Sequence, residues 1–277
     1  MQTKKIGRFG AAATHLVICV LIAAAMIAVF WGVWYPHGLG IVAGASELLL
    51  IIVGVDIVVG PLLTLILFVP GKKGLYIDLA MIALLQIGAL VGGAYVMLQT
   101  RPIFLVALPD RLQLVSANEI NDADLAKASS AAFGHRSWTG PVLVGSKEPG
   151  DPALLWELTA SVFGGGAEID RRPQFYVAFD EVAKPLARRA PRLSKWRDST
   201  EIGVVEAMRW ITQQKLRAED IAVVPVLGRS GTSAMLADAN TGSLLRVFPF
   251  HPGVIAMESE PSPWALPNYS GREGVSQ

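Results

Sequence analysis

Hydrophobic positions along this chain follow two different rhythms. In the first hundred residues they form three nearly unbroken runs, at about 11–34, 41–69 and 77–98. Each run reaches the ~20 residues that a helix needs to cross a bilayer core. Lipid offers no partner to a loose backbone amide or carbonyl, so each run is expected to be a transmembrane helix. The first run is longer than the ~7–15 apolar residues of a signal peptide, and no small-residue cleavage site follows it. It is expected to remain as an uncleaved anchor.

Beyond residue 100 the rhythm shortens. Apolar runs at 104–107 and Leu112–Ser116 flank the polar turn Pro109-Asp110-Arg111 and predict a hairpin. A short helix is expected at 121–128. A clearer one is expected at 151–163, where Asp151 can cap, Pro152 suits the first helical position and Gly164-Gly165-Gly166 stops the chain. Leu154, Leu155, Leu158 and Val162 fall on one face of it. A second amphipathic helix is expected at 198–217, with Val204, Met208 and Ile211 on one side. Residues 221–227, 233–237 and 244–250 read as antiparallel strands, with turns at Ser230-Gly231-Thr232-Ser233 and Asn240-Thr241-Gly242. From Glu258 the tail is rich in Pro and Ser and is expected to be poorly ordered. The fold class is therefore a membrane protein: three N-terminal transmembrane α-helices within residues 1–100, an α+β extramembrane domain at 101–257, and a tail at 258–277.

Composition agrees with this division. Of the 277 residues 52% are hydrophobic and only 17% charged, below the roughly 25% of a soluble domain. The first hundred residues carry Lys4, Lys5, Arg8, Lys72 and Lys73 against Glu47, Asp56 and Asp78. The bases gather before the first run and between the second and third, which sets those segments on the cytoplasmic side. Three crossings then place the C-terminal domain in the periplasm of a bacterium with an inner membrane. Trp31, Trp34 and Tyr35 fit an aromatic belt at the outer interface. Asp78 suits the positive end of a helix, and Glu47 is read as interfacial. A net charge of +1 argues against a nucleic-acid partner. The basic positions Arg171, Arg172, Lys184, Arg188, Arg189, Arg192, Lys195 and Arg197 read as a solvated face more readily than as a contact with anionic lipid heads or an acidic partner.

Candidate chemistry is sparse. Cys19 is the single cysteine, so no intrachain disulfide can form. His15, His37, His135 and His251 make no metal-binding spacing, and no nucleophile elbow, phosphate loop or dinucleotide fingerprint occurs. No enzyme activity, cofactor, metal or small-molecule substrate is expected. Asp56 stands out, because a carboxyl deep in a membrane helix costs about 2.5–3.5 kcal/mol on insertion scales. Asp56, Gly60 and Thr64 are spaced to share one helix face, and Pro61 should bend that helix. Two readings stay open. The face can meet a helix of another protein, or it can bond inside its own bundle to His15, Gln86 or a backbone group. Small residues repeat at Ala24, Ala28 and Gly32 and at Gly88 and Gly92, which allows close helix approach.

The run Gly54-Val55-Asp56-Ile57-Val58-Val59-Gly60-Pro61-Leu62-Leu63-Thr64-Leu65-Ile66 resembles the TfpX/TfpZ type IV pilin accessory protein family. The resemblance extends through Phe68-Val69-Pro70-Gly71-Lys72 and Asp78-Leu79-Ala80 to Gln86 and Arg101-Pro102-Ile103, with weaker echoes at Asp110-Arg111, Gly164-Gly165 and Thr241-Gly242. It implies a non-enzymatic, chaperone-like protein of the inner membrane that assists pilin stability and pilus assembly. Its partners would be a type IV pilin, major or minor, and the lipid bilayer. The candidate contact face in the membrane is Asp56, Gly60, Pro61 and Thr64, with Gly88 and Gly92. The rival reading is a membrane-anchored enzyme or small transporter subunit that uses Asp56 with His15 or Gln86; a periplasmic ligand sensor is a third.

Overall fold

A computed structural model describes residues 7–253. The tail from Glu258 and the basic pair Lys4 and Lys5 lie outside the described residues. Helix α1 (Arg8–Val29) runs into a π-helical turn, Phe30–Trp34. A short helix α2 (Leu39–Ala43), helix α3 (Ala45–Leu67) and helix α4 (Leu75–Thr100) follow. Three stretches, Arg8–Trp34, Ser46–Leu67 and Leu75–Thr100, are long and apolar enough to cross a membrane. They form a membrane anchor, and an extramembrane α+β domain follows.

The apolar run that begins near residue 41 is broken at Gly44, where φ is +65°. A left-handed backbone favours glycine, and a side chain here would press on Ser230, 3.3 Å from its Cβ. The Ser230 amide donates to the Val42 carbonyl at 2.9 Å. Residues 39–43 thus leave the apolar run and join the extramembrane core, where Leu39 and Val42 are buried. Tyr35 departs from the expected aromatic belt in the same way. Its ring packs on Phe30 with centroids 4.5 Å apart, and its hydroxyl donates to the Thr100 carbonyl at 3.4 Å. Helix α3 continues through Pro61. At the far end of the bundle, Gly74 (φ +88°) starts α4, and Lys72 bonds to Asp78 in its first turn at 2.5 Å.

Among the described residues the domain is built on seven strands: β1 (Pro102–Ala107), β2 (Leu112–Ser116), β3 (Val142–Ser146), β4 (Tyr176–Ala178), β5 (Ile221–Gly228), β6 (Gly231–Asp238) and β7 (Leu244–Phe248). Their order in the sheet is β4-β3-β1-β2-β5-β6-β7. The hairpin β1–β2 forms as expected, with Pro102 opposite Ser116. β3 joins β1 in parallel, and β5 joins β2 in parallel over only two residue pairs, Leu112↔Val226 and Gln113↔Leu227. The turn expected at 230–233 sits earlier: Gly228 faces Gly231, so Arg229 and Ser230 make the turn and Gly231 opens β6. The strand expected to reach 250 ends at Phe248.

Strand alternation sends side chains to two faces. Leu105, Leu112, Val224, Val226, Met235 and Val247 lie on one face, packed with Tyr35, Leu39, Val42 and Met97 from the base of the bundle. On the other face Phe104, Val106, Val144 and Tyr176 form one core, and Val223, Ala234, Leu236 and Phe248 form a second. Helix α5 (Asp122–Leu125), shorter than the 121–128 expected, follows β2, and helix α6 (Pro152–Phe163) follows β3; helix α8 (Ile202–Gln213), also shorter than expected, supplies Val204, Ala207 and Ile211 to that second core. The basic stretch proved partly structural. Helix α7 (Asp180–Arg189) buries Ala183, Leu186 and Ala187, and Arg192 closes it by donating to the Ala187 and Ala190 carbonyls at 2.8 and 2.9 Å.

Candidate functional site

The polar residues of the membrane helices converge on the inside of the bundle. α3 packs against both α1 and α4, and its face carrying Asp56, Gly60 and Thr64 is turned inward. Asp56 is 8% exposed, and its Oδ1 meets no hydrogen-bond partner among the described residues. The Gln86 amide donates to the Asp56 carbonyl at 3.3 Å and reaches Cys19 Sγ at 3.7 Å. Gln86 also lies flat against Gly60, where any side chain would collide with it. Eight residues beyond Asp56, about 12 Å along the helix, Thr64 Oγ1 meets His15 Nδ1 at 2.6 Å. The structure thus brings Asp56, Gly60 and Thr64 together with His15, Cys19 and Gln86, while Pro61 is half-buried beside them. Polar groups are few in hydrocarbon, and mutual bonding offsets their desolvation.

Gly88 and Gly92 sit elsewhere. Both are exposed, with nothing within 4 Å of where a Cβ would stand. Their neighbour Gly93 makes the close approach instead, with the Ile52 side chain 2.9 Å from its would-be Cβ. Spacing alone does not choose which of two adjacent small residues faces the neighbouring helix.

α1 and α4 leave a seam between them, floored by the end of α3 in the half that holds Thr64 and Phe68. In the half remote from the domain the seam opens into a cleft of about 330 Å³ between Ile18 and Ala83, with His15, Thr64 and Phe68 at its base. In the half nearer the domain a second cleft of about 340 Å³ lies between Met26 and Leu98 under Trp34, and its lining is almost wholly apolar. The sequence singled out His15 and Thr64 without a hint of a seam, because the rest of the lining is mostly apolar and differs little from a packed face.

The top of the seam is tied to the domain. The Arg101 guanidinium, 5% exposed, donates to the Leu98 and Ser137 carbonyls at 2.5 and 3.1 Å and stacks 4.2 Å from the Trp138 ring. Burial, with Arg136 nearby, pushes Arg101 below its ordinary pKa. The Trp34 indole donates to the Trp138 carbonyl at 3.0 Å. Further out, helix α6 (Pro152–Phe163) is capped by Asp151, which accepts from the Ala153 amide at 2.9 Å. Leu158 is buried, yet Trp156 and Phe163 of the same helix are 74% and 89% exposed. No group of three or more His, Cys, Asp or Glu side chains converges among the described residues.

No family model matches the chain, and no solved structure matches it. Curated proteins do. A "Fimbrial assembly protein, serogroups C1 and C2" of Dichelobacter nodosus is 32% identical over 116 residues, 41% of this chain and 88% of that protein. The serogroup I protein of the same organism is 29% identical over 183 residues, 63% of this chain and 70% of its own length. The serogroup E1 protein is 29% identical over 199 residues, 65% and 73% respectively.

Proposed function

This chain belongs to the fimbrial assembly protein family, and on that premise we propose that it is an accessory protein of type IV pilus assembly that holds a pilin subunit in the inner membrane. The finer resemblance to TfpX/TfpZ proteins is part of the same reading. The N-terminus and the Lys72-Lys73 loop face the cytoplasm by their positive charge, and the sheet domain faces the periplasm.

The observation that carries the reading is the open seam between α1 and α4. A pilin waiting for assembly presents a single apolar helix, and such a helix fits a lengthwise slot with small and aliphatic walls. Association in lipid is driven by packing and by polar groups at the contact. His15 and Thr64 supply the polar groups, and Ala83 and Ala94 allow close approach. Asp56, Gly60 and Pro61 act from behind by fixing α3 through Gln86. Gly88 and Gly92, on the outside of α4, offer a docking face to a membrane helix other than the pilin's. The exposed Trp156 and Phe163 of α6 are the natural contact for the pilin's extramembrane part, because large apolar side chains left uncovered mark interaction sites. No chemical step is needed: the protein stabilises its client by covering surface, without catalysis.

Two measurements test this. Deleting the chain should lower pilin level or the number of pili, and a tagged copy should retain pilin through purification. Filling the seam with Ala83→Trp should cut pilin retention about tenfold, the loss of roughly 1.4 kcal/mol. Leu84→Trp, on the outer side of α4, should leave it unchanged. Normal piliation without the protein, or equal retention by both variants, would contradict the proposal.

A further inference from the structure

We propose that the extramembrane domain carries a seat for the phosphate of an anionic phospholipid, built around Arg229 where the sheet meets the membrane bundle. The seat follows from how the sheet is made. β2 and β5 pair only at Leu112↔Val226 and Gln113↔Leu227. Beyond those pairs the strands part, and β2 runs back toward its end at Ser116, opposite Pro102 at the foot of α4. The gap is a pocket of about 270 Å³ at the level of Thr100, the last residue of α4, and Ala43, just before α3. Two membrane helices end there, so the pocket lies at the height of lipid headgroups. Its lining is more polar than apolar, whereas the two clefts in the seam are almost wholly apolar.

The charges in the pocket are unequal. Arg171 is engaged by Glu119 at 3.1 Å, and Glu119 also accepts from the Ser116 amide at 2.6 Å, so that carboxylate is already satisfied. Arg229 is exposed on the β5–β6 turn and forms no ion pair among the described residues. The backbone that carries it is held on both sides of Arg229: Gly228 lies hard against Val42, and the Ser230 amide is bonded to the Val42 carbonyl. One uncompensated guanidinium, with Ser116, Thr100 and Gln113 as neighbouring polar groups, suits a phosphodiester monoanion. Guanidinium groups bind phosphate through paired donors, and a membrane surface supplies that anion at high local concentration. This inference stands apart from the pilin reading and concerns a different face of the molecule.

The test uses the full chain purified in detergent. Dihexanoyl phosphatidylglycerol, dihexanoyl phosphatidylcholine and inorganic phosphate are titrated separately, and binding is followed calorimetrically. Phosphatidylglycerol is expected to bind, and Arg229→Gln to weaken it about fivefold, the effect of one basic residue near an anionic surface. Arg229→Lys should recover most of the loss, and Ser116→Ala should weaken binding in the same direction without touching the turn. Equal binding of phosphatidylglycerol to wild type and Arg229→Gln, or equal binding of phosphatidylcholine, would overturn the proposal. Inorganic phosphate binding as tightly as phosphatidylglycerol would overturn the lipid as its source.

Discussion

In the sheet domain both faces of the sheet are covered, and side chains such as Val106, Val224, Ala234 and Leu236 have no exposed surface at all. In the membrane bundle only a few positions are buried, among them Cys19, Ala23, Ile82 and Asp56, while aliphatic residues point outward along every helix. The domain is held by area removed from water. The bundle gains nothing that way, because lipid is as apolar as its own side chains; it relies on close backbone approach and a few polar bonds. A region held so lightly can leave a seam open at small cost, whereas the domain could not. The difference places the adaptable surface of this protein in the membrane and the rigid frame outside it.

The comparison is sharpened most by one substitution on each side. Leu236→Ala in the domain should cost about 3 kcal/mol, read as a lower denaturant midpoint by near-ultraviolet circular dichroism. Gln86→Leu in the bundle removes hydrogen bonds worth about 0.6 kcal/mol in a membrane, so the same measurement should barely move. A larger loss for Gln86→Leu than for Leu236→Ala would reverse the comparison.

The junction gives the next effect. Burial raises the Tyr35 phenol from its usual 10.0 to about 12, partly opposed by Arg229. The native state therefore holds this proton more tightly than the unfolded chain. Its contribution is complete below pH 10.0 and is lost as pH rises toward about 12, an alkaline loss of about 3 kcal/mol. Tyr35→Phe should flatten this part of the stability–pH curve; an unchanged curve would mean that Tyr35 is not shielded.

Smaller effects separate the two sides of α4. Gly93→Ala should destabilise the bundle by about 1 kcal/mol, since the new methyl meets Ile52. Gly88→Ala and Gly92→Ala meet nothing in the chain and should leave thermal unfolding unchanged. Least of all, Lys147→Ala should shift nothing measurable, although Lys147 and Glu181 lie 2.5 Å apart and the pairing holds the Glu181 carboxyl below its ordinary pKa. Both side chains are half-exposed, and solvent screens such pairs.

Much of this fold is legible in the sequence, and the exceptions share a cause. The three spans follow from length and polarity alone, and the hairpin at β1–β2 and the cap at Asp151 follow from local chemistry. β3 and β4 do not. One is a five-residue run beside glycines and the other has three residues; β3 exists because β1 offers it an edge, and β4 because β3 then offers the next one. α7 is masked by its arginines and by Pro185, although its buried stripe of Ala183, Leu186 and Ala187 has helical spacing. Residues 41–43 read as membrane because Ile41 and Val42 open an apolar run; Gly44 is the local sign that they belong with the sheet. At the site, the shared face of Asp56, Gly60 and Thr64 is a matter of helical period. That this face looks inward is a matter of tertiary placement, which period does not encode.

The most direct test places a photo-activatable side chain at Ala83 in the seam, and separately at Leu84 on the outer face of α4, in cells that make pilin. The expected result is a cross-link to pilin from position 83 and none from position 84. Cross-linking from 84 alone, or from neither, would contradict the seam as the place where the client helix is held.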